Sequence, residues 1–156
     1  MLRTMRSEGK LLLIDTVGDV PGAVLTEGDR VLASAEFPLR SASAVLLPEL
    51  KRILTSQGLR VRDLDAIGVV AGPGSFTGVR TGLSMAKALC EVANIPLAAV
   101  SRLQVLAEAA ELKEGFAVLD AGRGELYVRE ERRTEAAREF LSTLGWFEQT
   151  AAGARS

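Results

Sequence analysis

The sequence predicts an α/β chain, with one lobe built on a mixed sheet carrying helices on both faces and a truncated second lobe after it. Three observations predict it. Three strand-like segments open the chain, and at least the last two are antiparallel. Helix-like and strand-like segments then alternate up to residue 112. The run AIGVVA at 66–71 is apolar throughout, as expected of a central strand covered on both sides.

Residues 10–16 (KLLLIDT) form a short apolar run ending in Asp-Thr, which reads as a buried strand. Residues 17–21 supply turn chemistry. Residues 22–26 and 30–37 are two further strands, joined by Glu27-Gly28-Asp29 as a hairpin turn. Residues 43–57 read as a helix. Ser43 caps it, Leu46, Leu47, Leu50, Ile53 and Leu54 form its apolar stripe, and Gly58 stops it. Pro48 is expected to kink that helix or delay its start. A turn at 72–74 leads into a second helix from about Thr77 to Ala93. Residues 95–100 (IPLAAV) are expected as another buried strand. Ser101 caps a third helix, Gln104 completes a capping box, and Leu103, Leu106, Ala107 and Ala110 line its inner side.

Residues 115–120 and 125–129 are two more strands around a turn at 121–124. From Glu130 the chain is densely charged. Residues 134–144 fit one amphipathic helix with Ala137, Phe140, Leu141 and Leu144 on one side, and the end of the chain is expected to fray. The predicted division is therefore a first lobe over 10–112, then 113–156 as the start of a short second lobe with a charged helical tail. Residues 1–9 read either as a loose leader or as an expression or annotation artefact.

Composition excludes much chemistry. The chain has 156 residues, 47% hydrophobic and 25% charged, an ordinary globular balance. Its formal net charge of −1 argues against RNA binding by bulk electrostatics. Histidine is absent, so a Ser-His-Asp triad, a Cys-His pair and any imidazole zinc site are ruled out. A single cysteine, Cys90, permits no internal disulfide and suits a reducing cytoplasm. No apolar run approaches the roughly 20 residues of a membrane span.

The most informative stretch is AGPGSFTGVRTGL at 71–83. Gly72-Pro73-Gly74 breaks the strand, and Gly74 can take a positive φ. Ser75 or Thr77 can cap the helix that follows. A glycine turn running into a helix N-terminus either cradles an anion or is a tight structural turn. The spacing is not a Walker loop. Within the helix, Gly78, Gly82, Ala86 and Cys90 recur every four residues and make a ridge of small side chains. That ridge packs either on the chain's own sheet or on a helix of a second chain. Val79, Leu83 and Met85 widen the apolar arc.

GPGSFTGVR followed by TGL resembles the signature of the TsaB (YeaZ) family, whose domain is also called glycoprotease-like. LLLIDT at 11–16, SASAVLLPELKRIL at 41–54, IPLAAVSRLQVLA at 95–107 and LDAGRGELYV at 119–128 extend the resemblance over most of the chain. It implies a ribonuclease H-like lobe of the actin and sugar-kinase (ASKHA) type. It implies a non-catalytic subunit beside TsaD, which carries the ATP, metal and transfer chemistry that makes N6-threonylcarbamoyladenosine in tRNA next to the anticodon. It also implies a TsaE-like ATPase as a further partner, a homodimer in isolation, and only indirect contact with tRNA.

The family's helical interface carries over onto Leu46, Leu47, Leu50 and Leu54, and onto Gly78, Val79, Gly82, Leu83, Met85 and Ala86. Its motif loop carries over onto Gly72, Pro73, Gly74, Ser75, Phe76, Thr77, Gly78 and Arg80. Asp15, Thr16 and Asp120 mark a vestigial nucleotide cleft. No cofactor or metal is expected on the chain itself. The chain departs from the family where Val17 and Pro21 interrupt a phosphate loop, where Ala42-Ser43 replaces the usual His-Ser, and in its short second lobe.

Two other readings stay open. One is a small kinase-like or peptidase-like enzyme, in which Asp15 and Asp120 share Mg²⁺ and Arg80 or Arg123 touches phosphate. The other is a self-associating protein with a diverged role. Against the enzyme, Asp15 reads as a turn-capping aspartate, Tyr127 as sheet packing and Cys90 as inert core.

Overall fold

The computed structural model describes residues 9–38 and 42–153. Ser41 and most of the leader proposed for residues 1–9 lie outside the described residues, as does the side chain of the expected cap, Ser43. Two compact units divide the chain, 1–100 and 101–156. The first boundary therefore falls between Val100 and Ser101, not after the third helix.

The first unit contains β1 (Lys10–Asp15), β2 (Gly22–Glu27), β3 (Arg30–Glu36), α1 (Ala42–Ser56), β4 (Ala66–Val70), α2 (Phe76–Ala93) and β5 (Leu97–Val100). The strands make a mixed sheet in the order β3-β2-β1-β4-β5. The first three are antiparallel, while β4 and β5 run parallel to β1. Register fixes which residues share a face. Leu12, Ile14, Ala23, Leu25, Ile67 and Val69 point to the side where α1 and α2 pack, and form one core with Leu46, Leu50, Ile53, Leu54, Ala86 and Cys90. The next residue of β1, Leu13, faces the other side and is 42% exposed.

α1 runs continuously through Pro48, which lies on its exposed side. The strand expected to be buried at 95–100 differs from the reading. β5 is an edge strand, with Leu97, Ala98 and Ala99 all exposed. It has β4 as its single neighbour at the end of the sheet, a position that an apolar composition does not record.

The second unit contains α3 (Arg102–Ala109), β6 (Gly115–Gly122), β7 (Glu125–Arg132), β8 (Glu135–Thr143) and α4 (Leu144–Gly153). Ser101 caps α3 by accepting a hydrogen bond from the Leu103 amide at 3.1 Å. Leu103 and Ala107 of α3 pack with Ala117, Leu119 and Tyr127 on one face of the sheet, while Leu106 and Ala110 stay exposed. On the other face Phe147 of α4 meets Phe116, and Trp146 meets Phe140, both edge to face.

The helix expected at 134–144 is instead β8, antiparallel to β7. Its apolar residues fit a helical period, but the open backbone edge of β7 offers a ladder that no isolated segment can anticipate. Phe140 then stands opposite the fully buried Val128. Arg129 and Glu139 pair across the strands at 2.9 Å, and Arg138 and Glu130 at 2.6 Å. The segment after it is helical from Leu144 to Gly153, and the end of the chain expected to fray, residues 154–156, lies outside the described residues.

Candidate functional site

The motif loop lies where β4 ends and α2 begins, against the end of β1. Asp15 closes β1 and turns the chain itself. Its Oδ1 accepts from the amides of Val17 at 2.7 Å and Gly18 at 2.9 Å. The turn holds Thr16 and Val17 inward, 7% and 6% exposed. Thr16 Oγ1 donates to the carbonyl of Gly78 at 2.7 Å, tying the end of β1 to the first turn of α2.

The motif glycines make this approach possible. A Cβ on Gly78 would collide with the Thr16 carbonyl oxygen, and one on Gly82 with Thr16 Oγ1. A Cβ on Gly74 would collide with Val17 Cγ1. Gly72 sits at φ 103°, a conformation only glycine adopts readily, next to a cis bond to Pro73. Gly74 also takes the positive φ expected of it, at 159°. Ser75 caps α2, its Oγ accepting from the Gly78 amide at 3.0 Å. Of the two readings of the small-residue ridge, packing on the chain's own sheet holds. Gly82, Ala86 and Cys90 are buried, and Ala86 and Cys90 belong to the first unit's core.

Asp120 behaves like Asp15, its Oδ1 accepting from the Gly122 amide at 2.7 Å. Each aspartate thus serves the turn beside it, in a different compact unit. No group of three His, Cys, Asp or Glu side chains converges among the described residues. Arg123 is exposed in the β6–β7 turn, at φ 58°, and Tyr127 packs beneath α3. Cys90 is buried, and desolvation pushes its thiol pKa up, which favours an inert protonated sulfur.

The docking residues expected on the two helices divide sharply. Leu46, Leu50 and Leu54 are at most 4% exposed, and Gly82 and Ala86 are buried too. They hold α1 and α2 to the sheet, so they cannot also present a surface to another chain. Gly78, Val79, Leu83 and Met85 are half-buried, and only Leu47, 51% exposed, stands clearly outside. The outer side of the pair instead carries Ala44, Leu47 and Pro48 on α1, and Phe76, Ala88 and Val92 on α2.

A family model described as "TsaD: tRNA N6-adenosine threonylcarbamoyltransferase" matches residues 36–145. The chain is 36% identical to "tRNA threonylcarbamoyladenosine biosynthesis protein TsaB" of Escherichia coli (strain K12), over 81% of this chain and 56% of that protein. The chain belongs to the TsaB (YeaZ) family. The TsaB of Haemophilus influenzae is 33% identical over 88% of this chain and 60% of its own length. This chain thus spans somewhat over half the length of these curated TsaB relatives. A crystal structure from Pseudomonas aeruginosa, titled an uncharacterized protein with similarity to peptidase YEAZ, superposes with a TM-score of 0.70. It is 29% identical and covers 85% of this chain and 66% of its own. The actin-like α/β fold expected from the TsaB resemblance is therefore the fold observed.

Within the TsaB motif, one feature escaped the sequence reading. Phe76 is 74% exposed, and the Arg80 guanidinium lies 5.3 Å from its ring centroid. The family resemblance places both in the motif loop. Helical spacing was the available signal, because residues 76 and 80 lie one turn apart, on the side away from the buried ridge. No helix among the described residues is long and apolar enough to cross a membrane.

Proposed function

We propose that this chain is a non-catalytic partner subunit that docks a TsaD-type transferase during formation of threonylcarbamoyladenosine in tRNA. One observation carries the reading: the glycine turn that could have cradled an anion is consumed by packing. Its glycines admit Thr16 and Val17, Ser75 caps its own helix, and Asp15 is committed to two backbone amides. What the two helices still offer is an outer surface with apolar residues on both. The names of the TsaB relatives supply the pathway.

On this reading ATP and metal belong to the transferase, and a TsaE-like ATPase joins the assembly. The tRNA is met only through the complex, in the cytoplasm. Alone, the chain pairs with a second copy through the same outer face. The test mixes the purified chain with a TsaD-type transferase in gel filtration at micromolar concentration. A joint peak is expected, and the chain alone should show negligible ATP turnover. Separate elution, or tight ATP and Mg²⁺ binding by the chain alone in calorimetry, overturns the proposal and favours the enzyme reading.

A further inference from the structure

The outer face of the helix pair is uneven, and its one large aromatic lies at one end. Phe76 begins α2, where Gly74, Ser75 and Thr77 are also exposed. Its ring is not folded back into the core: it stands 74% exposed, with the Arg80 guanidinium over it at 5.3 Å. Burying a phenylalanine is strongly favourable, so an uncovered one beside a guanidinium is an unused store of contact energy. Aromatic residues and arginine are also the types that dominate binding energy at protein interfaces.

The charge on the two helices says what kind of surface fits. Their ionisable residues are four cations, Lys51, Arg52, Arg80 and Lys87, and two carboxylates, Glu49 and Glu91. Glu49 is already bound to Arg52 at 2.7 Å. Two copies placed face to face oppose the same cationic excess, which makes self-pairing the weaker arrangement, whereas an acidic partner neutralises it. The Arg80 guanidinium carbon lies 5.3 Å from the ring centroid, and the five N–H donors of a guanidinium suit it to pair with a carboxylate as well.

We propose that Phe76 and Arg80 form the anchor of the docking surface, with Phe76 entering an apolar pocket of the transferase and Arg80 pairing with a carboxylate at its rim. This rests on the partner-subunit reading and adds where the binding energy concentrates. The opposite end of α2 contributes little, although Val92 there is 89% exposed.

The experiment measures binding of the full chain to a purified tRNA N6-adenosine threonylcarbamoyltransferase by calorimetry. Phe76→Ala and Arg80→Glu should each raise Kd by about tenfold or more. Phe76→Leu should recover most of the affinity, and Val92→Ala should change it less than about threefold. Thermal melts of all these variants, and of Arg80→Ala, should match the parent chain, which separates a lost anchor from a lost fold. Raising the salt concentration should weaken the parent chain more than Arg80→Ala. If the parent chain binds and Phe76→Ala binds equally well, the anchor is wrong while the partner reading stands. If the parent chain does not bind at all, the partner reading itself fails. If Phe76→Ala abolishes only self-association in sedimentation, the occupant is a second copy and the assignment to an acidic transferase is overturned.

Discussion

Leu47 and Leu50 stand three residues apart on α1, yet one is 51% exposed and the other 1%. The same contrast runs along α2, where Gly82 and Ala86 are buried and Phe76 and Arg80 are outside. The inner side is set by close approach. It holds the leucines that fill the core and the glycines that let Thr16 reach the helix backbone. The outer side is set by nothing within its unit. The contrast teaches that a helix apolar on several faces need not offer all of them to a partner. Most of the apolar positions here are already satisfied at home, and a docking role rests on the few left over.

The largest break in this contrast should come from Leu50→Ala. It empties a fully packed site and should cost about 2–5 kcal/mol in urea unfolding. Leu47→Ala on the outer side should change stability by under about 0.5 kcal/mol. Equal losses at the two sites would remove the distinction between the sides. Gly78→Ala should come next. Alanine gains up to about 1 kcal/mol over glycine in a helix. The new Cβ would meet the Thr16 carbonyl, though, and overpacking of this kind costs about 1–3 kcal/mol. A destabilised variant is therefore expected, and a raised melting temperature would refute the close contact.

Thr16→Val should be milder, at about 1 kcal/mol, because it removes the hydroxyl that holds the Gly78 carbonyl. The smallest effect concerns Cys90. Burial raises its pKa, so folding favours the neutral thiol. Its contribution to stability is present below the unfolded thiol's value of about 8.5 and is lost as the pH rises through the higher folded value. Iodoacetamide labelling at pH 8 should accordingly be slow in the folded chain and fast in urea. Rapid labelling of folded protein would place Cys90 outside the inner side.

Much of the fold was legible because it is local. Strand lengths, the Glu27-Gly28-Asp29 turn, the Ser75 and Ser101 caps and the glycine turn all follow from short-range chemistry. The aspartate at the end of β1 was legible as a turn cap for the same reason. β8 was not, because Ala137, Phe140, Leu141 and Leu144 match a helical period and only the edge of β7 turns them into a strand. The exposure of β5 was hidden too, since an apolar run looks the same at the edge of a sheet as at its centre.

By itself, the sequence determined the order of elements, the family resemblance and the chemistry that the chain lacks. Those depend on residue types and on neighbours a few positions away. Only the tertiary structure decided which side of each helix is free. Whether Gly82 meets Thr16 or another protein, and whether Phe76 is covered or bare, depends on how segments distant in the chain approach one another, which no periodicity records.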